Sequence, residues 1–241
     1  MQTGYATSGA TTGWGGRMLD QLEAYNEGAD FPVAISMDKP ALYCSGVTTQ
    51  DITLQPGNTL QQQGLGASPG AAGLARMTAQ QQILAADGGN AMIDAANDVL
   101  ARANALNPVL ASSGAAPTFP KAFPVGGLGD QLKDVARMIN QHAQHGIGRQ
   151  VFFCSLGGFD THSVQVTRQS TLLQQVGQSV DAFSAAMTFA GLDRQVTLFT
   201  LSDFGRTLTP SGNGTDHGWG NHHLVLGGGP SAGARSMAAS P

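Results

Sequence analysis

The sequence predicts an α/β fold, a mostly parallel sheet flanked by helices, and three observations carry that reading. VFFCSL at 151–156 and VTLFTL at 196–201 are apolar without interruption, the pattern of strands covered on both faces. Between them Leu172, Val176, Val180, Phe183 and Met187 recur every three or four residues, which gathers them on one face of a helix. Each apolar run then gives way to a polar, glycine-bearing segment, GGFDTH after the first and SDFGRT after the second. Strand, helix and strand of this kind form a βαβ unit with a right-handed crossover, and its loops open at the carboxyl edge of the sheet, where ligands bind.

The elements follow in chain order. Residues 14–26 (WGGRMLDQLEAYN) place Met18, Leu19 and Leu22 at helical spacing, and FPVAISM at 31–37 reads as a strand. From Ile52 to Gly66 the chain is polar and rich in turn residues. The Ala-rich stretch 70–105 carries Leu74, Met77, Ile83, Leu84, Met92, Ile93, Val99 and Leu100, and Asp87-Gly88-Gly89 divides it into two helices. ASSGAAPTFPKAFPV at 111–125, with its three prolines, is a linker or an extended surface loop. Leu128, Leu132, Val135, Ile139 and Ala143 then mark one helical stripe that Gly146 ends, and Gly191 ends the later helix over 163–190.

Composition narrows the partners. The 241 residues suffice for one large domain, yet only 12% are charged, about half the share of an average soluble domain. The net charge is −4 with no cluster of Lys or Arg, so the electrostatic footprint of a nucleic-acid partner is missing. No apolar run reaches the roughly 18 residues needed for a membrane span. The opening MQTGYATSGATTGWGGRMLD has neither the basic start nor the apolar stretch of an export signal. Cys44 and Cys154 are far apart, and Cys154 sits in an apolar run, which suits a buried hydrophobe better than half of a disulfide.

The chemistry-bearing residues fall in three segments. Asp160 and His162 follow the first apolar run, Asp203 and Arg206 follow the second, and GTDHGWGNHH at 214–223 adds Asp216, His217, His222 and His223. If both strands share one parallel sheet, these residues converge at its edge. Carboxylate and imidazole together are the donors a divalent transition metal prefers. The Asp-x-His spacing directs both side chains of an extended segment the same way. By the same alternation His222 and His223 point apart, so at most one of them can join the site.

Plainer roles compete for these residues. Asp160 and Asp203 suit the capping of following helices. His142 and His145 suit a solvent-facing helix C-terminus. Asn213-Gly214 is a turn signal in any protein, and Trp14 and Trp219 suit packing better than substrate stacking.

TGWGGRMLD at 12–20, GGFDTHSVQ at 157–165 and LSDFGRTLTPSGNGTDHGWGNHHLVLGG at 201–228, in that order, resemble the domain-of-unknown-function 1501 (DUF1501) family, a bacterial group related to the alkaline phosphatase and sulfatase superfamily. The resemblance covers most of the chain. It implies an alkaline-phosphatase-like domain that hydrolyses phosphate or sulfate esters, of a small molecule or a polysaccharide, with a divalent metal at the strand ends. Zinc is the first expectation, manganese and calcium the others.

Asp160, His162 and His217 match one metal site of the superfamily in type and order. A second alignment places Asp216-His217 in the consecutive Asp-His role of the superfamily's neighbouring metal, with His222 or His223 as the late ligand. Asp203 occupies the strand end that serves a neighbouring metal, but Phe204 stands where that site has His. Arg206 is then the cation that offsets charge on the transferring group.

The resemblance also implies a twin-arginine signal and a periplasmic or secreted product. The superfamily's first strand, with its nucleophile, has no counterpart before Met1, and PSAGARSMAASP departs from the family pattern. The expectation is therefore a single incomplete domain over 1–241, with a shift of reading frame near Gly229 as one expected origin of the tail: a helical, loop-rich part to about residue 125, a βαβ core over about 126–228, and an irregular tail over 229–241. The alternative from another class is an exported binding or structural protein of the same fold, in which these Asp and His residues form a hydrogen-bond network. If Asp160 and His162 lay more than about 8 Å from both Asp203 and His217, no single ion could join them.

Overall fold

The computed structural model describes residues 9–29, 31–57, 70–86, 90–98, 100–101, 118–228 and 235–239. The chain divides into two units, one formed by Met1–Pro56 with Thr118–Pro241 and the other by Gly57–Pro117.

The first unit is a mixture of α and β structure around a short parallel sheet. Strand β1 (Ala34–Met37) lies between β2 (Asp51–Leu54) and β3 (Val151–Phe153), parallel to both, with Ala34 level with Asp51 and Val151. All four residues of β1 are buried, as a strand flanked on both edges and covered on both faces requires. Residues 51–54, expected to open a polar loop, form an edge strand instead. Its Asp-Ile-Thr-Leu alternation fits a half-covered position.

Helix α1 (Trp14–Asp20) closes one face. Leu19, Ala34, Ala41, Tyr43, Cys44 and Val151 form a buried cluster there, with Trp14, Val33 and Phe153 packed against it. The Trp14 ring meets Tyr43 edge-on at 4.8 Å and stacks on Phe199 at 5.5 Å. The glycines of TGWGG have a geometric reason: a Cβ on Gly16 would lie 2.2 Å from the Ser45 carbonyl carbon. The expected helix over 14–26 stops at Asp20, and Glu23–Asn26 is a short 3-10 turn.

Helix α4 (Gly127–Asn140) buries Leu128, Leu132, Val135 and Ala136 and packs on α5 (Gln165–Phe189). Both oxygen and nitrogen of the buried Gln131 amide bind the Ser155 backbone, at 2.8 and 2.9 Å, which ties α4 to the exit of β3. Gly146 ends the following 3-10 turn (His142–His145) in the left-handed region, at φ +64. His142 and His145 are half-buried instead of solvent-facing: His142 Nδ1 is 2.8 Å from the Ile139 carbonyl, and His145 stacks on Phe31.

The expected βαβ unit is not formed. Strand β4 (Thr197–Phe199) pairs antiparallel with β7 (Asn221–Gly227), which also pairs with β8 (Arg235–Ala239), in a sheet of order β4-β7-β8 separate from that of β3. An apolar run cannot by itself distinguish a parallel from an antiparallel strand. In β4 both Thr197 and Phe199 are exposed, unlike a strand covered on both faces. The segments read as loops are largely extended: β5 (Gly205–Ser211) and β6 (Gly214–Gly218) make an antiparallel ribbon.

Strand β8 (Arg235–Ala239) pairs with β7 where an irregular tail was expected. Backbone pairing asks little of side chains at a sheet edge, so the sequence RSMAA, with neither alternation nor an apolar run, hid it. Residues 229–234 of that tail lie outside the described residues.

In the second unit α2 (Ala71–Ala85) and α3 (residues 91–98) are helices, as the high helix propensity of their Ala, Leu, Met and Gln residues favours. The expected break at 87–89, much of the polar stretch before Gly66 and the linker over 111–117 lie outside the described residues. No helix among the described residues is long and apolar enough to cross a membrane.

Candidate functional site

After β3 the chain runs as GGFDTH to the start of α5. Thr161 is fully buried; its hydroxyl accepts a hydrogen bond from Gln169 Nε2 at 3.0 Å. With the middle residue directed inward, Asp160 and His162 face outward together, and Asp160 Oδ1 lies 2.9 Å from His162 Nε2. This is the alternation the Asp-x-His spacing predicts.

The third member arrives on the ribbon. Gly212 at φ +64 and Asn213 connect β5 to β6, a two-residue hairpin turn with glycine at its first central position. The turn pairs Ser211 with Gly214 and Pro210 with Thr215, and an irregularity between Arg206 and Pro210 then shifts the register so that His217 stands opposite Arg206; directly opposed residues project from the same face. His217 Nε2 lies 2.8 Å from Asp160 Oδ1 and Arg206 Nη2 3.1 Å from the same oxygen. A Cβ on Gly214 would be 2.3 Å from the His162 carbonyl carbon, so glycine there lets the ribbon lie against the loop. Asn213 O accepts from the Gln165 amide at 3.1 Å, and Thr215 Oγ1 donates to Gln165 Oε1 at 2.8 Å, which fixes the ribbon to the start of α5.

The ligand atoms of Asp160, His162 and His217 all fall within 4.8 Å of one another, and all three residues are exposed. The His217 hydrogen bond is the main cause holding the Asp160 carboxyl below its usual range; partial desolvation opposes it, and the charges of His162, His217 and Arg206 add to it. Asp160 is thus kept as the anion, which a cation binds. The donor set of one carboxylate and two imidazoles suits zinc, with a solvent-facing side left for a further ligand. Its closest contacts of 2.8 and 2.9 Å are a few tenths of an ångström shorter than the roughly 3.3 Å between ligands placed 2.0 Å from a tetrahedral ion. A small separation of the three side chains would admit one.

The family model described as "Protein of unknown function (DUF1501)" matches residues 1–238. The chain belongs to the DUF1501 family. No curated protein and no solved structure matches it.

The other expected site residues of this DUF1501 chain are less closely placed. Asp216 Oδ1 is 3.7 Å from His162 Nδ1, at the margin of the group. Asp203 and His222 are exposed and outside it. His222 and His223 alternate along β7, and His223 Nδ1 approaches Thr200 Oγ1 at 3.5 Å. Neither Asp160 nor Asp203 caps a helix: α5 begins after Val164 with no side-chain cap, and Asp203 precedes a strand.

Arg206 departs from the role of a cation free to meet a transferring group. Its Nη1 donates to Thr215 O at 2.6 Å and its Nη2 to Phe159 O at 2.8 Å as well as to Asp160. With a side chain only 14% exposed, it clamps loop to ribbon and holds Asp160.

Trp219 is 57% exposed, against its expected packing role, whereas Trp14 packs as expected. Cys44 and Cys154 are both free thiols, and burial pushes each up to about 12, which leaves them inert as nucleophiles. Sequence reasoning assigned no positive role to Phe204, whose ring lies on His217. The signal was its place between Asp203 and the Gly205–Arg206 start of β5.

Proposed function

We propose that this chain is a metal-dependent hydrolase of phosphate or sulfate esters, of a small molecule or a polysaccharide, acting in the periplasm or outside the cell. The observation that carries the proposal is the convergence of Asp160, His162 and His217 within 4.8 Å from two separate segments. These three residues would hold a divalent ion, zinc first. Such an ion polarises an ester oxygen and lowers the pKa of bound water. Asp160 supplies the negative charge that favours the cation, Arg206 keeps that carboxylate in place, and the two imidazoles complete an open set of ligands. The reaction class and the location come from the likeness to alkaline phosphatases and sulfatases seen in the sequence.

A second reading has an observation of its own. Asp160 Oδ1 already forms hydrogen bonds with His217 and Arg206 at 2.8 and 3.1 Å, with His162 Nε2 2.9 Å from it, a polar network that needs no ion, as in a binding or structural protein.

Metal content separates the two. Chain purified after growth with zinc, manganese and calcium supplied should carry about one equivalent of one of them, and Asp160→Asn should lose it. Wild type should cleave an aryl phosphate or an aryl sulfate, and Asp160→Asn should not. Less than about half an equivalent in wild type supports the hydrogen-bonded network instead.

A further inference from the structure

The Phe204 ring lies flat against the His217 imidazole, with centroids 4.5 Å apart and planes within 6°. The Arg206 guanidinium stands 5.1 Å from the centroid of the same ring. Phe204 is itself held, because its carbonyl oxygen accepts from Ser202 Oγ at 2.7 Å and Asn221 Nδ2 at 3.3 Å. One aromatic side chain therefore touches both ribbon residues that reach Asp160 Oδ1.

An imidazole rotates about a broad terminal torsion unless something packs on its face. The lone pair of a ligating nitrogen lies in the ring plane, so the plane decides where that nitrogen can direct it. In this structure the stacked plane brings His217 Nε2 to 2.8 Å from Asp160 Oδ1, beside the third donor.

We infer that Phe204 is a positioning residue: its ring fixes the plane of His217 and so directs Nε2 into the cluster with Asp160 and His162. The inference deepens the metal-centre proposal and rests on it for its consequence in metal affinity. The stacking itself is tested in the metal-free chain.

Phe204→Leu keeps apolar bulk and removes the ring, whereas Phe204→Tyr keeps the ring. Zinc titration of the full chain should show Phe204→Leu about 10-fold or more weaker than wild type, the size of effect seen for partners that orient a ligand. Phe204→Tyr should stay within about 3-fold, since it preserves the stacked pair. In the metal-free protein, the carbon-bound imidazole protons of His217 should be shifted upfield by the ring current in wild type and Phe204→Tyr, and released in Phe204→Leu.

If wild type binds zinc and Phe204→Leu binds it equally well, the inference is overturned. A wild-type His217 spectrum without the upfield shift also overturns it, and needs no variant to fold. If wild type binds no zinc but keeps the shift, the metal reading fails while the positioning of His217 by Phe204 is supported.

Discussion

Asp20 ends α1 inside the TGWGGRMLD segment, and replacing it tests how that segment is held. Its Oδ2 accepts from the Val47 amide at 2.7 Å, and its Oδ1 accepts from the Thr49 amide at 2.8 Å, the Thr48 hydroxyl at 2.9 Å and the Thr48 amide at 3.2 Å. A single carboxylate thus organises the loop that leads into β2. Partial burial opposes its ionisation, but the Val47 and Thr49 amides and the Thr49 and Thr48 hydroxyls outweigh that and hold the carboxyl well below the usual range.

The magnitude follows from which bonds water can replace. The Val47 and Thr48 contacts are exposed, and only the Thr49 amide is partly buried. One bond at the full value for a charged acceptor, about 1.5–3 kcal/mol, and small remainders for the others give about 2–3 kcal/mol for Asp20→Ala. Asp20→Asn keeps one acceptor oxygen but loses the charge, and should cost about 1 kcal/mol.

Urea unfolding at neutral pH reads both values from the midpoint at constant slope. The pH dependence has a fixed sign. A carboxyl whose folded pKa is lowered stabilises the fold above its unfolded value of about 3.9, and that contribution is lost as pH falls through the folded value. The gap between wild type and Asp20→Ala should therefore be constant from pH 7 to about 5 and shrink below about 4. A cost under about 0.5 kcal/mol at pH 7, or a gap that does not shrink in acid, refutes the reasoning.

Three further outcomes follow from the same geometry. Gly16→Ala places a Cβ 2.2 Å from the Ser45 backbone, with no flexible side chain to yield, and should cost about 3 kcal/mol or more by thermal denaturation. Arg206→Lys replaces a planar fork that reaches Thr215 O, Phe159 O and Asp160 Oδ1 by one ammonium, and should weaken zinc binding about 10-fold in calorimetric titration. Gly214→Ala introduces a Cβ 2.3 Å from the His162 backbone; it should reduce zinc affinity at least about 10-fold, and unchanged affinity would show that ribbon and loop move independently.

What the sequence made legible is local. The stripe of α4, the left-handed glycine at 146 and the outward pairing of Asp160 with His162 each depend on periods or turn chemistry within a few residues, although α4 itself ends at Asn140 and Gly146 closes the 3-10 turn after it. The position of His217 was legible in type but not in mechanism. It reaches Asp160 because a ribbon register sets it opposite Arg206, and that register depends on the Gly212-Asn213 turn together with the irregularity between Arg206 and Pro210; the sequence suggested a turn at Asn213-Gly214. The errors lie where pairing is non-local: β4 joins β7 and not β3, and β8 adds an edge whose sequence, RSMAA, carries no strand pattern. Nothing in an apolar run records which distant strand it will meet.

The same contrast between local and non-local structure explains what the candidate site depends on. A two-stranded ribbon is marginal by itself, and β5–β6 carries both His217 and Arg206. Its attachment is polar: Gln165 to Asn213 and Thr215, and Arg206 to Phe159 and Asp160. At that junction Val164 adopts φ +52 with its amide directed at Asn213 Oδ1, a conformation that costs a β-branched residue about 1–3 kcal/mol. The chain accepts that strain one residue from the His162–Ser163 turn, where ribbon and loop must meet. Substitutions among these polar ties should therefore separate His217 from Asp160 before they unfold the sheet around β1, whose stability comes from buried apolar contacts.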